Sequence, residues 1–141
     1  MEAGGQSTSQ RHLLWELRWR HMQARVAAKE HRIDEARRQL GEFEVIMQRR
    51  GKLPDDNDIY HGVAGYVAYY AKDYDRAVAE LTQCNLGDRF ILYLIGLAYD
   101  GKGDSSNARE YYRRTMASNV HSLQTAIARP QAREQLAGTS Q

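Results

Sequence analysis

The sequence is poor in cysteine, proline and phenylalanine, with one, two and two copies in 141 residues. The lone Cys84 excludes an internal disulfide, so stability rests on packing. It reads as a small buried hydrophobe on a helix rather than a reactive thiol. No run approaches the ~20 apolar residues of a membrane span. The net charge is only +2, too small to imply an anionic polymer as partner. The charge is uneven, however. Residues 1–52 hold eleven Lys and Arg against seven acids, and the remainder nine against eleven.

Chemical constellations are missing as well. His12, His21, His31, His61 and His121 fall at no metal-ligand spacing. No G-x-S-x-G is present, and Cys84 has no predictable histidine neighbour. The stretch from Gly101 to Ser106 lacks the spacer of a phosphate loop and follows a helix, so it reads as an interhelical turn. Asp55-Asp56-Asn57-Asp58 lacks the glycine and glutamate of a calcium loop, and its acids read as partners for a helix N-terminus. Arg49-Arg50-Gly51-Lys52, with Arg37-Arg38 upstream, is too short and too poor in aromatics for nucleic acid. It reads as cations at a helix C-terminus. The expectation is a non-enzyme with neither cofactor nor metal.

What is present is a repeat. Gly96, Tyr99, Gly103, Ala108 and Tyr112 stand at offsets of three, seven, twelve and sixteen from the first. Gly65, Ala68, Lys72, Ala77 and Leu81 follow the same offsets, and so do Ala24, Ala27, His31, Ala36 and Leu40. Fixed-offset self-similarity marks a repeat architecture. Each copy reads as helix A, a turn and helix B. In the second copy A runs from Asp58 to Ala71 and B from Tyr74 to Asn85. In the third A runs from Asp88 to Gly101 and B from Ser105 to Ala117. Gly65 and Gly96 fall mid-helix, where glycine costs about 1 kcal/mol relative to alanine. Close approach of helix B offsets that cost, with Ala77 and Ala108 as the matching small residues. Tyr99 and Tyr112 are expected to fill the wider space between repeats. Asp73 and Asp104 are placed to cap the B helices, and Gly101 and Gly103 to end helix A in left-handed conformations.

These residues resemble the tetratricopeptide repeat, a helix–turn–helix unit of about 34 residues, in a bacterial-type domain. The resemblance covers roughly residues 17–117. It is closest in the third copy and weakest in the first, which lacks the glycine. Copies two and three are 31 residues apart and copies one and two 41 apart. The excess falls in the loop Gly51 to Asn57, so the first helix B runs long, from about Ile33 to Arg50. Beyond the repeats, Leu123, Ala126, Arg129, Ala132, Arg133 and Leu136 resemble a closing segment found in such proteins. Leu123, Ile127 and Leu136 could cover the last repeat, with Pro130 starting a short helix.

The expected architecture is therefore all-α: a right-handed superhelical array of repeats at about 17–50, 58–85 and 89–117, with a cap at 120–137. Residues 11–137 form one domain. Residues 1–10 read as a flexible lead-in, neither signal peptide nor stable helix, and 138–141 as a tail. A chain complete as it stands would be cytoplasmic; one cut from a longer parent could be periplasmic or exported.

The resemblance also implies a binding groove lined by helices A. Carried over residue by residue, it gives Arg18, His21, Met22, Arg25 and Lys29 in the first copy. The second gives Val63, Tyr66, Tyr69 and Tyr70, and the third Phe90, Tyr93, Leu94 and Leu97. The expected groove is basic at one end and aromatic at the other. The Lys/Asn/Arg set with which some family members grip a C-terminal carboxylate is missing from the second and third copies. The competing reading puts the tyrosines in the core, under folded-over closing helices.

The implied function is a scaffold that binds a peptide or partner protein without chemistry. Two alternatives stand beside it: a homodimer module using the N-terminal helix, and an accessory domain of a larger enzyme or envelope complex. That helix, about Arg11 to Lys29, carries two apolar stripes. One is Trp15, Trp19, Met22 and Val26; the other is Leu13, Leu17, Ala24 and Ala27. Two-sided apolar helices are normally sandwiched, so a core or capping role is the first expectation. A dimer contact would rest on Trp15 and Trp19, and the Arg-rich remainder of the helix also permits a membrane-surface role.

Overall fold

The computed structural model describes residues 2–117 together with Ala132, Gln135 and Leu136, and side chains from Thr8 onward. The described residues form six α-helices and no strand. They are α1 (Glu2–Lys29), α2 (Ile33–Arg49), α3 (Pro54–Tyr70), α4 (Tyr74–Leu81), α5 (Arg89–Gly101) and α6 (Ser105–Ala117). They pair as three hairpins, α1–α2, α3–α4 and α5–α6. Each hairpin packs on the next, and α3 also touches both α1 and α5.

The hairpin turns share one backbone device. His31, Lys72 and Gly103 occupy the same repeat position and have φ of 60°, 63° and 83°. In each turn that residue donates its N–H to the carbonyl three residues back, and the next residue donates to the carbonyl five back. The bonds run from His31 to Ala28 and Arg32 to Ala27, from Lys72 to Tyr69 and Asp73 to Ala68, and from Gly103 to Asp100 and Asp104 to Tyr99, all at 2.8–3.0 Å. This is the Schellman ending, which satisfies the last carbonyls of helix A. Helix B then starts at once. Asp73 and Asp104 accept from the N–H groups of Arg76 and Asn107. Arg32, in the first turn, makes no such side-chain cap. The expected left-handed Gly103 is found, whereas Gly101 is the last helical residue of α5. A Cβ on Gly101 would lie 2.5 Å from Cζ of Tyr74. Its glycine therefore makes room for the ring of the preceding hairpin.

Inside the hairpins the small residues allow close approach. A Cβ on Gly65 would stand 2.4 Å from Cγ of Leu81 and 3.3 Å from the Ala77 carbonyl oxygen. One on Gly96 would stand 2.6 Å from Cε1 of Tyr112. Real Cβ atoms are essentially never found this close to a neighbour, so with a side chain there either Leu81 and Tyr112 or the helices themselves would have to shift. Tyr112 thus packs within its own hairpin rather than between repeats. Its phenol donates to Asp100 Oδ2 at 3.2 Å. Burial, then the Asp100 charge, holds that phenol above its usual range. Tyr99 stacks on Tyr111, also within the third hairpin. Ala24, Ala27, Ala36, Ala68, Ala77 and Ala108 are all buried.

Several boundaries differ from the sequence reading. α1 begins at Glu2, so the expected flexible lead-in is helical through Gln10; extending an existing helix costs far less than nucleating one. α3 begins at Pro54, where its missing N–H costs nothing in a first turn. α4 stops at Leu81 instead of Asn85. The chain then turns so that Cys84 is buried just past the helix, with its Sγ 3.7 Å from the Asp58 carbonyl oxygen. Burial pushes the Cys84 thiol up to about 12, so it stays protonated. Asp55 and Asp56 do stand in the first turn of α3, as expected of acids at a helix N-terminus, and Asp56 is besides buried and paired with Arg50 at 2.7 Å, fastening the α2–α3 connection. His61 meets Glu80 at 2.6 Å across α3 and α4. Of the closing segment, Ala132 is buried against Tyr93, Ala108 and Tyr112, with Leu136 beside it. Leu123, Ala126, Ile127, Arg129, Pro130 and Arg133 lie outside the described residues.

Candidate functional site

Because α1, α3 and α5 touch in sequence, the A helices form a row. Two cavities lie along it. The first, about 570 Å³, opens between α1 and the start of α3, lined by Leu14, Leu17, Arg18 and His21 facing Leu53, Pro54, Asp55 and Ile59. The second, about 300 Å³, continues between α1, α3 and α5. His21 and Arg25 face Gly62, Val63 and Tyr66, with Asp58, Asp88, Phe90 and Ile91 closing the far wall. His21 and Ile59 line both, so the two form one groove.

Its polar groups are held by identifiable causes. Burial, then the neighbouring Arg25 charge, lowers His21 to about 4. Near neutral pH the imidazole is therefore uncharged and offers one donor and one acceptor. The Arg25 guanidinium lies 4.9 Å from the Tyr66 ring centroid and 5.6 Å from that of Phe90. One cation thus bridges side chains of all three A helices. Burial, then a hydrogen bond with Tyr70, pushes the Tyr66 phenol up to about 12. Asp58 accepts from the Asn85 N–H and Asp88 from the Phe90 N–H, each through a single oxygen. Ile59 and Leu53 are exposed at the lip. The groove is thus apolar along its length, cationic on the α1 wall and acidic at the start of α3 and α5.

Of the residues expected to line a groove, the structure brings together Arg18, His21, Arg25, Val63, Tyr66 and Phe90. Five of the others are elsewhere. Tyr93 is buried against Tyr112, 6.1 Å between ring centroids, beneath Ala132. Leu94 is core, and Leu97 is packed between two buried clusters. Tyr69 and Tyr70 turn to an aromatic cluster at the end of α3 that includes His31 and Tyr74. Met22 and Lys29 flank a shallow extension of the groove beside Arg25. Tyr66 is itself largely covered, so it serves as a floor. The sequence reading missed Leu14, Leu53, Ile59 and Ile91. Ile59, Val63 and Tyr66 lie at helical spacing inside the expected helix Asp58–Ala71, but the groove positions carried over by resemblance do not include Ile59.

Among the described residues, no group of three His, Cys, Asp or Glu side chains could hold a metal ion. Likewise, no helix among them is long and apolar enough to cross a membrane. No family model matches the chain, and comparison with curated proteins and solved structures finds no significant match.

Proposed function

We propose that the three hairpins form a right-handed superhelical array of the tetratricopeptide kind, and that the groove along α1, α3 and α5 binds a peptide or helix of a protein partner. The array reading is supported by the repeated turn and by packing between sequence neighbours, as expected of stacked repeats. The binding reading rests on one observation: two cavities joined at His21 and Ile59 make a continuous apolar groove with few, fixed polar groups. Such a surface suits recognition by apolar anchors with polar groups setting their register. Acidic side chains on the ligand would meet Arg18 and Arg25, and basic ones would meet Asp58 and Asp88. The protein acts as a scaffold, recruiting its partner without chemistry.

The test is selection of binding peptides from a random display library, followed by titration calorimetry. Ile59→Asp and Arg18→Glu alter exposed side chains and should leave the thermal melt within about 0.5 kcal/mol of the parent. Both should weaken the selected peptides by about tenfold or more. Peptides that bind both variants as tightly as the parent would place recognition elsewhere.

A further inference from the structure

The two apolar stripes of α1 have different fates. Leu13, Leu17, Ala24 and Ala27 are buried against the rest of the fold. Trp15, Trp19, Met22 and Val26 are 71%, 57%, 57% and 46% exposed. The expectation of a helix sandwiched on both sides is thus met on one side only. The exposed stripe steps four, three and four residues, which is the spacing of a coiled-coil seam with d, a, d and a positions. Burying two tryptophans at the centre of a contact is the usual make-up of a strong interface.

The flanks of the stripe say what covers it. In the same register the g positions are Arg11, Arg18 and Arg25, and the e positions are Glu16, Gln23 and Glu30. One flank is wholly cationic and the other carries the acids. A helix lying on an anionic membrane would gain from cations on both flanks. A second copy laid antiparallel would set g against g, arginine against arginine. Laid parallel, each g position faces the e position five residues on in the other copy. Arg11 then faces Glu16 of the second copy, and Arg18 faces its Gln23. Arg25 is already committed to Tyr66 and Phe90, so the first of these pairs carries the charge complementarity. Glu16 is available for it, since its present partner is His12, an exposed i,i+4 neighbour at 3.4 Å. Exposed pairs of this kind contribute little. The helix is already ordered by α2 and α3, so a two-heptad seam need not supply the cost of forming it.

We propose that α1 is a homodimer interface, with two copies packing parallel through Trp15, Trp19, Met22 and Val26 and held in register by Arg11 and Glu16 of opposite copies. The rest of each protein lies behind α1, on the side away from the seam; the seam covers the shallow extension beside Met22 and Val26 and leaves in place the two cavities joined at His21 and Ile59. The inference is independent of what that groove binds.

Sedimentation equilibrium of the full chain tests it. The parent should dimerise below about 200 µM, and Trp19→Glu should be monomeric at that concentration. Arg11→Glu and Glu16→Arg, each alone, put like charges across the seam twice and should weaken dimerisation about tenfold or more. Mixed one to one, they restore both opposite-charge pairs and should form a heterodimer at least as tight as the parent. Unchanged thermal melts for the two charge variants exclude misfolding as the cause of their weakening. A parent that stays monomeric, or a mixture no tighter than either variant alone, would overturn the proposal. So would a monomeric parent that sediments with vesicles containing an anionic phospholipid, which would make the stripe a membrane contact.

Discussion

The three hairpin turns and the groove respond differently to sequence change. At the turns, His31, Lys72 and Gly103 share little chemistry, yet they take the same left-handed backbone and the same two hydrogen bonds. Along the groove the hairpins present different surfaces. α1 contributes Arg18, His21 and Arg25, α3 contributes Ile59, Val63 and Tyr66, and α5 contributes Phe90 and Ile91. Where the backbone must close a helix and start another, geometry is retained even when a non-glycine residue must adopt positive φ. Where side chains face outward, each hairpin is free to differ. The comparison divides the molecule into a repeated scaffold and an unrepeated surface.

The largest effect expected from breaking this division is on the scaffold side. Tyr93 lies among Tyr112, Ala108 and Ala132, so Tyr93→Ala should cost about 3–5 kcal/mol in thermal or denaturant unfolding. A melt like the parent's would return Tyr93 to the groove surface. Next comes Gly96→Ala. Helix propensity favours alanine by about 1 kcal/mol. The added methyl group would collide with the buried Tyr112 ring, and overpacking of this sort costs about 1–3 kcal/mol. We expect a net loss, read by denaturant midpoint; a gain would mean that the hairpin can open without penalty.

The smallest effect belongs to the groove. His21 falls from 6.5 to about 4 on folding. Between those values the unfolded chain binds the extra proton and the folded chain does not, so stability rises with pH across that window. It declines as pH drops from about 6.5 to 4 and this contribution does not change further below that. Solvent screening keeps it on the order of 1 kcal/mol. Comparing the parent with His21→Gln at each pH isolates it from the carboxylates. Parallel pH profiles for the two proteins would mean that His21 is more open to water than the groove allows.

The same division explains what could be read from the sequence. The spacing of Gly65 with Ala77 and Leu81, and of Gly96 with Ala108 and Tyr112, exposed the hairpins because a close backbone contact restricts both partners at once. Helix ends were less legible. Pro54 and its following acids look like a loop until Asp56 is seen buried against Arg50 in the first turn of α3. Ile59 lies inside the helix expected from Asp58, but the resemblance marks no groove position there. Tyr66 and Phe90 were found and Tyr93 misplaced for one reason. Periodicity says which side of a helix a residue occupies, but not what another segment lays over it; in this case that is Ala132, some forty positions later. The Trp15 stripe is the converse case, since nothing along its own helix distinguishes it from the stripe that is buried.

The division is tested most directly by amide-resolved NMR titration of the isotope-labelled protein with a display-selected peptide. The account predicts shift changes confined to Leu14–Arg25 of α1, Leu53–Tyr66 at and along α3 and Asp88–Ile91, with the amides of His31, Lys72 and Gly103 unmoved. Changes centred on α2, α4 and α6, with the A helices silent, would contradict it.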